Sequence, residues 1–222
     1  MSNEEKKEVK KKERRQKKME EILFSAEKIF LDKGIKKTKM IDIAHACDMS
    51  KGLLYFYFKS KDEIAWRILM KYSEEEYNNA IRYVSSLKGN SFDKLKNILE
   101  LFINNQTKNY TSKSPAFIFR EYILEIMQKE DINNEFVEEY ESTTNRNLSV
   151  YVNLLKEGLG DGSIKSDIDP DLRGKAIGTS LGLYYRYMIS MKENMGVGFY
   201  NQNVNELKEL ADVLLESVKA KP

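Results

Sequence analysis

Residues 38–61, TKMIDIAHACDMSKGLLYFYFKSK, decide how this chain is read. Two short helical patterns flank a tight polar turn. Thr38 is placed as the cap of a helix running to about Ala46, Cys47-Asp48-Met49 form the turn, and Ser50 caps a second helix reaching about Tyr57. Helices this short, joined by so few residues, suit a helix-turn-helix that offers its second helix to the DNA major groove. Ala44 is small where the two helices must cross. Asp48 is one of the few non-glycine types that tolerate the left-handed conformation the turn requires. Ser50, Lys51 and Gly52 place short or hydrogen-bonding groups on the outer N-terminal face of the second helix. Lys51 can donate to guanine O6 and N7, and Thr38, Tyr55 and Tyr57 can donate hydroxyls to phosphates. Lys61 adds charge in the first turn of the next helix, where free amides already favour an anion. Leu53, Leu54, Phe56 and Phe58 are expected to dock this helix into a core, with Cys47 a small buried hydrophobe and His45 on the surface.

Charge supports the same region. The net charge of +2 hides a split: residues 1–61 carry 17 Lys/Arg against 10 Asp/Glu, a balance of +7, and the remainder 20 against 25, a balance of −5. A basic excess around a groove-reading helix is what phosphates demand. Residues 1–17 form a basic arm, read either as a flexible solvated tail or as a segment lying on phosphates or in the minor groove. One cysteine and one histidine rule out an internal disulfide and a Cys/His zinc site, and they suit a reducing cytoplasm. A Ser-His or Cys-His catalytic arrangement away from the helix-turn-helix is implausible for the same reason, so the chain is expected not to be an enzyme and to need no cofactor or metal. Glu138, Glu139 and Glu141 read as a solvated face. The longest apolar stretch, Ala176 to Met191, is interrupted by Arg186 and falls short of the ~20 residues of a membrane span.

The rest of the chain is helical almost throughout, and no segment has the alternation of a strand. Met19, Ile22, Leu23, Ala26, Ile29 and Phe30 mark a first helix stopped by Gly34. Ser60 with Glu63 opens a fourth helix as a capping box, and Gly89-Asn90 ends it. Later helices start at Ser91, Ser114-Pro115, about Asn133, Asp169-Pro170 and about Asn203. The expectation is an all-α protein of about nine helices. It would have a helix-turn-helix domain over residues 18–78 and a second domain over 79–222.

The run from Ile22 to about Leu69 resembles the DNA-binding domain of the TetR/AcrR family of transcriptional repressors. The resemblance is carried by ILFSAEKIF, the following Gly34, Thr38, IDIAHA, MSKGLLYFYF, and Ser60-Lys61 followed by an acidic residue. It implies DNA contacts at Thr38, Lys39, Ser50, Lys51, Gly52, Leu53, Tyr55, Tyr57 and Lys61. The chain departs from the family pattern at the turn, where Cys47-Asp48-Met49 replaces the usual Ala-Gly-Val. It departs again at the end of the reading helix, where Tyr57 stands in place of a histidine.

A helix-turn-helix reads few base pairs, so two copies about one DNA turn (~34 Å) apart are expected. Gly174, Gly178 and Gly182 recur every fourth residue and form one stripe of a helix, at a cost of about 0.5–1 kcal/mol each relative to alanine. A close approach of another helix would offset that cost, either across a homodimer or within the monomer. The family resemblance implies a dimer bundle built from the last two helices, with Gly174, Gly178, Gly182, Leu207 and Leu214 at the interface. Tyr140, Thr144, Asn147 and Tyr151 lie along one helical stripe between Phe136 and Leu155, which suits the few polar anchors of a small-molecule cavity. The resemblance implies such an effector pocket, with Trp66, Phe102, Tyr110, Phe119 and Tyr122 as further lining candidates. The expected function is a dimeric, cytoplasmic repressor released from a palindromic double-stranded operator by a largely apolar ligand. An architectural DNA-binding protein is the alternative.

Overall fold

The computed structural model describes residues 2–109, 114–128 and 134–220. Among the described residues the protein is helical, apart from one isolated antiparallel bridge between Ile164 and Lys219. The all-α expectation holds. The chain divides into two compact units: Met1–Tyr72 with Ile118–Glu130, and Ser73–Phe117 with Asp131–Pro222. This corrects the expected division at residue 78, because the segment Ile118–Glu130 joins the N-terminal unit.

In the first unit, α1 (Asn3–Lys33) is the longest element. The basic arm expected to be flexible is its first four turns. Ser2 accepts from the Glu5 amide, and the Glu5 carboxylate accepts from the Ser2 amide, so a capping box starts the helix ahead of the charge run. Further along, Ile22, Ala26 and Phe30 repeat every four residues and are buried on the inner face. Gly34, at φ 86°, stops the helix and returns its amide to the Phe30 carbonyl at 3.0 Å. Helix α2 (Met40–Ala46) follows, capped by Lys39 rather than by Thr38. The Asp42 carboxylate accepts from the Lys39 amide and from Lys33 Nζ, each at 2.7 Å. The Lys33 ammonium and these bonds hold the Asp42 carboxyl below the usual carboxylate range.

Asp48 makes the turn at φ 51°, the sole positive φ outside glycine among the described residues. Ser50 then caps α3 (Lys51–Tyr57), accepting from the Leu53 amide at 3.2 Å. Helix α4 (Lys61–Ser86) opens on Ser60, which accepts from the Glu63 amide at 3.0 Å. The Glu63 carboxylate closes on the Lys59 amide at 2.6 Å, one residue earlier than the simple capping box. Leu54 of α3 and Phe58 at its C-terminal cap join Ile22, Phe30, Ile43, Ile64, Trp66 and Leu69 in burial. Phe119, from α6 (Pro115–Ile126), meets the Phe30 ring edge-on at 5.9 Å in this unit.

The second unit is built from the later part of α4, α5 (Ser91–Asn109), α7 (Asn134–Asp161) and α8 (Pro170–Glu216). Asp169 caps α8, accepting from the amides of Asp171 and Leu172, with Pro170 in the first turn. Arg173 Nη1 reaches Ser217 Oγ at 3.4 Å, and Tyr184 Oη donates to Asn203 Oδ1 at 3.0 Å. A straight helix would separate Arg173 from Ser217 by roughly 66 Å. The element must therefore double back between residues 191 and 203, and its two arms correspond to the two last helices expected from sequence. Leu95 and Leu99 of α5, Leu155 of α7, and Ile177, Leu181, Met188, Leu207 and Ala211 of α8 share one core. Asp161 fastens the end of α7 to the start of α5, accepting from the Ser91 amide at 2.8 Å and its hydroxyl at 2.7 Å.

Candidate nucleic-acid interface

Helix α3 has seven residues, so its inward side chains leave a well-defined outer face. Leu54 and Phe58, one turn apart, point into the core. Lys51, Gly52, Leu53, Tyr55 and Phe56 are exposed, with Phe56 66% and Leu53 46% accessible. The expectation that Leu53 and Phe56 are core residues is corrected: on a helix whose buried seam is Leu54 and Phe58, position 56 falls on the far side. A wheel drawn on that seam would have found Phe56. A Cβ placed on Gly52 would meet nothing within 4 Å, so the surface around it stays low and open. Lys51 Nζ lies 5.7 Å from the Tyr55 ring centroid, one turn along the same face. A cation, two aromatic faces and a bare backbone on one short exposed helix can read base edges and apolar base surface together. Tyr57 is half-buried, its ring edge-on to Phe56 at 5.3 Å. Ser50 and Lys39 are exposed.

Two expected contacts are corrected. Thr38 is only 1% exposed, and its hydroxyl donates to the Gly34 carbonyl at 2.9 Å, so it builds the α1–α2 turn rather than meeting a phosphate. Lys61 Nζ donates to the carbonyls of Ile35, Lys36 and Thr38 at 3.0, 2.9 and 3.2 Å. Its three donors are spent on that turn, and its ammonium ties α4 to the entrance of α2. Cys47 is half-buried, and burial pushes its thiol up against an opposing hydrogen bond from Ser25.

Helix α6 is fastened within the same unit. Tyr122 Oη donates to Asp62 Oδ1 at 2.6 Å, and Lys36 pairs with Glu125 at 2.7 Å. Burial, followed by the hydrogen bond to the Asp62 carboxylate, raises the Tyr122 hydroxyl well above its ordinary range. Trp66 and Phe119 are core residues of this unit, and Tyr122 is held by Asp62. Tyr110 lies outside the described residues.

In the second unit, Phe102 packs edge-on against Tyr185 at 5.9 Å. Along the α7 stripe Tyr140, Asn147 and Tyr151 are half-buried, whereas Thr144 is exposed and leaves the set. Asn147 Oδ1 is buried without a hydrogen-bond partner, and burial pushes the Tyr151 hydroxyl up to about 12. A groove of about 250 Å³ lies elsewhere in this unit, lined by Leu99 and Ile103 of α5 and Lys208 and Leu215 of α8.

The glycine stripe separates into parts. A Cβ on Gly174 would come within 2.7 Å of the Val152 backbone, and one on Gly178 within 2.4 Å of Leu148 Cδ2 and 2.8 Å of the Tyr151 ring. These two glycines admit α7 within the monomer, which corrects their placement at a dimer surface. Leu207 is fully buried in the monomer core, whereas Leu214 is half-buried against it. Gly182 alone faces open space.

Residues 22–68 match the family described as bacterial regulatory proteins, tetR family. The HTH-type transcriptional repressor KstR2 of Mycolicibacterium smegmatis is 27% identical over 154 residues, covering 69% of this chain and 70% of that protein. A TetR-family transcriptional regulator from Pectobacterium atrosepticum has a similar fold, with TM-score 0.70 at 13% identity over 94% of this chain and 97% of that one. The fatty acid degradation regulator FadR from Bacillus halodurans gives TM-score 0.62 at 17% identity over 89% and 94%. Among the described residues no helix is long and apolar enough to cross a membrane. The exposed, capped helix α3 lies inside the segment that matches the tetR family of bacterial regulatory proteins, and the chain is similar in fold to TetR-family regulators and in sequence to a transcriptional repressor.

Proposed function

We propose that two copies of this chain occupy a palindromic operator and leave it when a small, largely apolar molecule binds the second unit. The observation that carries the reading is the outer face of α3: Lys51, Gly52, Leu53 and Tyr55 are exposed while Leu54 and Phe58 anchor the helix. Pairing is supported by the first arm of α8. Leu172, Leu183 and Tyr187 are 71%, 59% and 45% exposed, and with Ala176 and Thr179 they lie along one side of the helix. An apolar row of this kind on a monomer suits an interface. It replaces Gly174, Gly178 and Leu207 as the proposed pairing surface, with Gly182 beside it. A ligand is supported by the unpartnered Asn147 Oδ1 near the half-buried Tyr151. The proposed relay is α6, whose residues from Ile118 onward are fastened to the reading unit through Asp62 and Lys36.

Selection of binding sites from random duplexes, followed by titration of the selected site against a mixed-sequence duplex, tests the operator reading. A preference of about a thousandfold or more, with two protomers per site by light scattering, is expected. Comparable affinity for both duplexes would overturn it in favour of an architectural DNA binder.

A further inference from the structure

We propose that the first four turns of α1 form a helical arm that lies along the DNA phosphate backbone flanking the groove read by α3. The proposal rests on the reading of α3 as the groove-entering helix. Residues 10–18 hold seven Lys/Arg against one carboxylate, Glu13, while Glu4, Glu5 and Glu8 sit in the turns beyond. Every residue from Glu4 to Lys17 is exposed. The arm is nonetheless a continuous helix, so its charges stand in fixed rows. Stepping back from buried Ile22 by alternate four and three residues, the inner face of α1 continues as Lys18, Arg15 and Lys11. Lys7, Lys10, Arg14 and Lys17 form the adjoining row.

The register of these rows against the reading helix is set by a contact. The Arg15 guanidinium stands over the Phe56 ring, 5.6 Å from its centroid, on the exposed face of α3. Lys18, next on the same face of α1, pairs with Glu21 of its own helix at 3.0 Å. The arm therefore leaves the core beside the outer end of α3, where a duplex seated on Lys51 and Tyr55 presents its sugar–phosphate edge. Sixteen helical residues span roughly 24 Å, about seven base-pair steps. Val9 is the arm's sole apolar residue between positions 3 and 18, so it lacks the apolar face that an interfacial membrane helix needs.

The test uses the full chain and a variant carrying Lys7→Gln, Lys10→Gln, Lys11→Gln and Arg14→Gln. Glutamine keeps helix propensity and leaves Arg15 and Lys18 in place. Circular dichroism confirms equal helix content, and a Lys7→Arg, Lys10→Arg, Lys11→Arg variant serves as the charge-preserving control. Affinity for the selected operator is measured from 50 to 200 mM salt, on duplexes that end at the half-sites or extend ten base pairs beyond. The unmodified chain and the arginine control should bind the extended duplex more tightly. The glutamine variant should lose that advantage, with the log–log salt slope falling by about one for each phosphate contact removed. An unchanged slope and an unchanged length dependence would overturn the arm proposal. So would loss of binding to phosphatidylserine vesicles in the glutamine variant with DNA binding intact. Failure of the unmodified chain to prefer any operator would instead strike the repressor reading, since that result does not involve the arm.

Discussion

The reading head and the glycine stripe of α8 both depend on close approach, yet only the first carries its partner in its own sequence. At residues 47–54 every geometric requirement is satisfied within a few positions: Asp48 supplies the positive φ and Ser50 caps the helix it opens. Along α8, Gly174, Gly178 and Gly182 share one spacing and meet three different environments: the Val152 backbone, the Leu148 and Tyr151 side chains, and open space. Periodicity fixes which side of a helix is small. It does not fix what fills the gap.

The sharpest way to break this comparison is to add one methyl group at each glycine. Gly174→Ala should cost about 2 kcal/mol, because its Cβ would meet backbone that cannot rotate away. Gly178→Ala should cost less, since the Leu148 methyl and the Tyr151 ring can shift. Gly182→Ala should stabilise the helix by about 0.5–1 kcal/mol. Thermal unfolding of the three variants checks the order. Equal destabilisation at all three would return the whole stripe to a dimer interface.

Lys61 comes next in size. Its replacement by Met leaves three carbonyls of the α1–α2 turn without their donor, and a loss of about 1–2 kcal/mol in unfolding free energy is expected. If DNA affinity falls while the melting temperature stays, Lys61 meets phosphate after all.

Thr38 and Lys61 were misread for one physical reason. A hydroxyl or ammonium beside this helix looks available from sequence, but the Gly34 carbonyl four residues back takes the Thr38 hydroxyl, and folding brings the carbonyls of Ile35, Lys36 and Thr38 to Lys61. The stop at Gly34, the caps at Ser50, Ser60 and Asp169, and the all-helical class were legible because each has a local cause. The helical arm was legible too, in Ser2 followed three residues later by Glu5, and was hidden only by the charge run behind it. The exposure of Leu53 and Phe56 was not visible from hydrophobicity, because a seven-residue helix docks by one seam and can turn apolar groups outward. Trp66 and Phe119 are buried, and sequence alone does not say in what role, because an aromatic serves a core and a pocket equally well.

Acid titration probes the second unit. Burial pushes the Asp161 carboxyl up, but hydrogen bonds from Ser163 and Ser91 outweigh it and hold it well below the ordinary carboxylate range. Its folded pKa lies below its unfolded value, so its stabilising contribution is full above about pH 4 and fades as pH falls below it. Asp161→Asn should flatten the acid limb of the stability curve, and an unaltered limb would remove Asp161 from that role.

The smallest expected effect returns to the turn. Asp48→Gly should raise stability by roughly 0.5 kcal/mol, because glycine holds φ 51° without strain but gains freedom in the unfolded chain. A loss of stability would mean that the Asp48 carboxylate does more than tolerate the turn.

The account stands or falls on the outer face of α3, and one paired measurement addresses it most directly: operator affinity and melting temperature of Lys51→Ala beside the unmodified chain. Lys51 is exposed at the first position of a helix capped by Ser50, so the melting temperature should not move. Affinity should fall by about tenfold or more, with preference relaxed at one base pair per half-site. Unchanged affinity and unchanged base preference would contradict the claim that this face reads DNA.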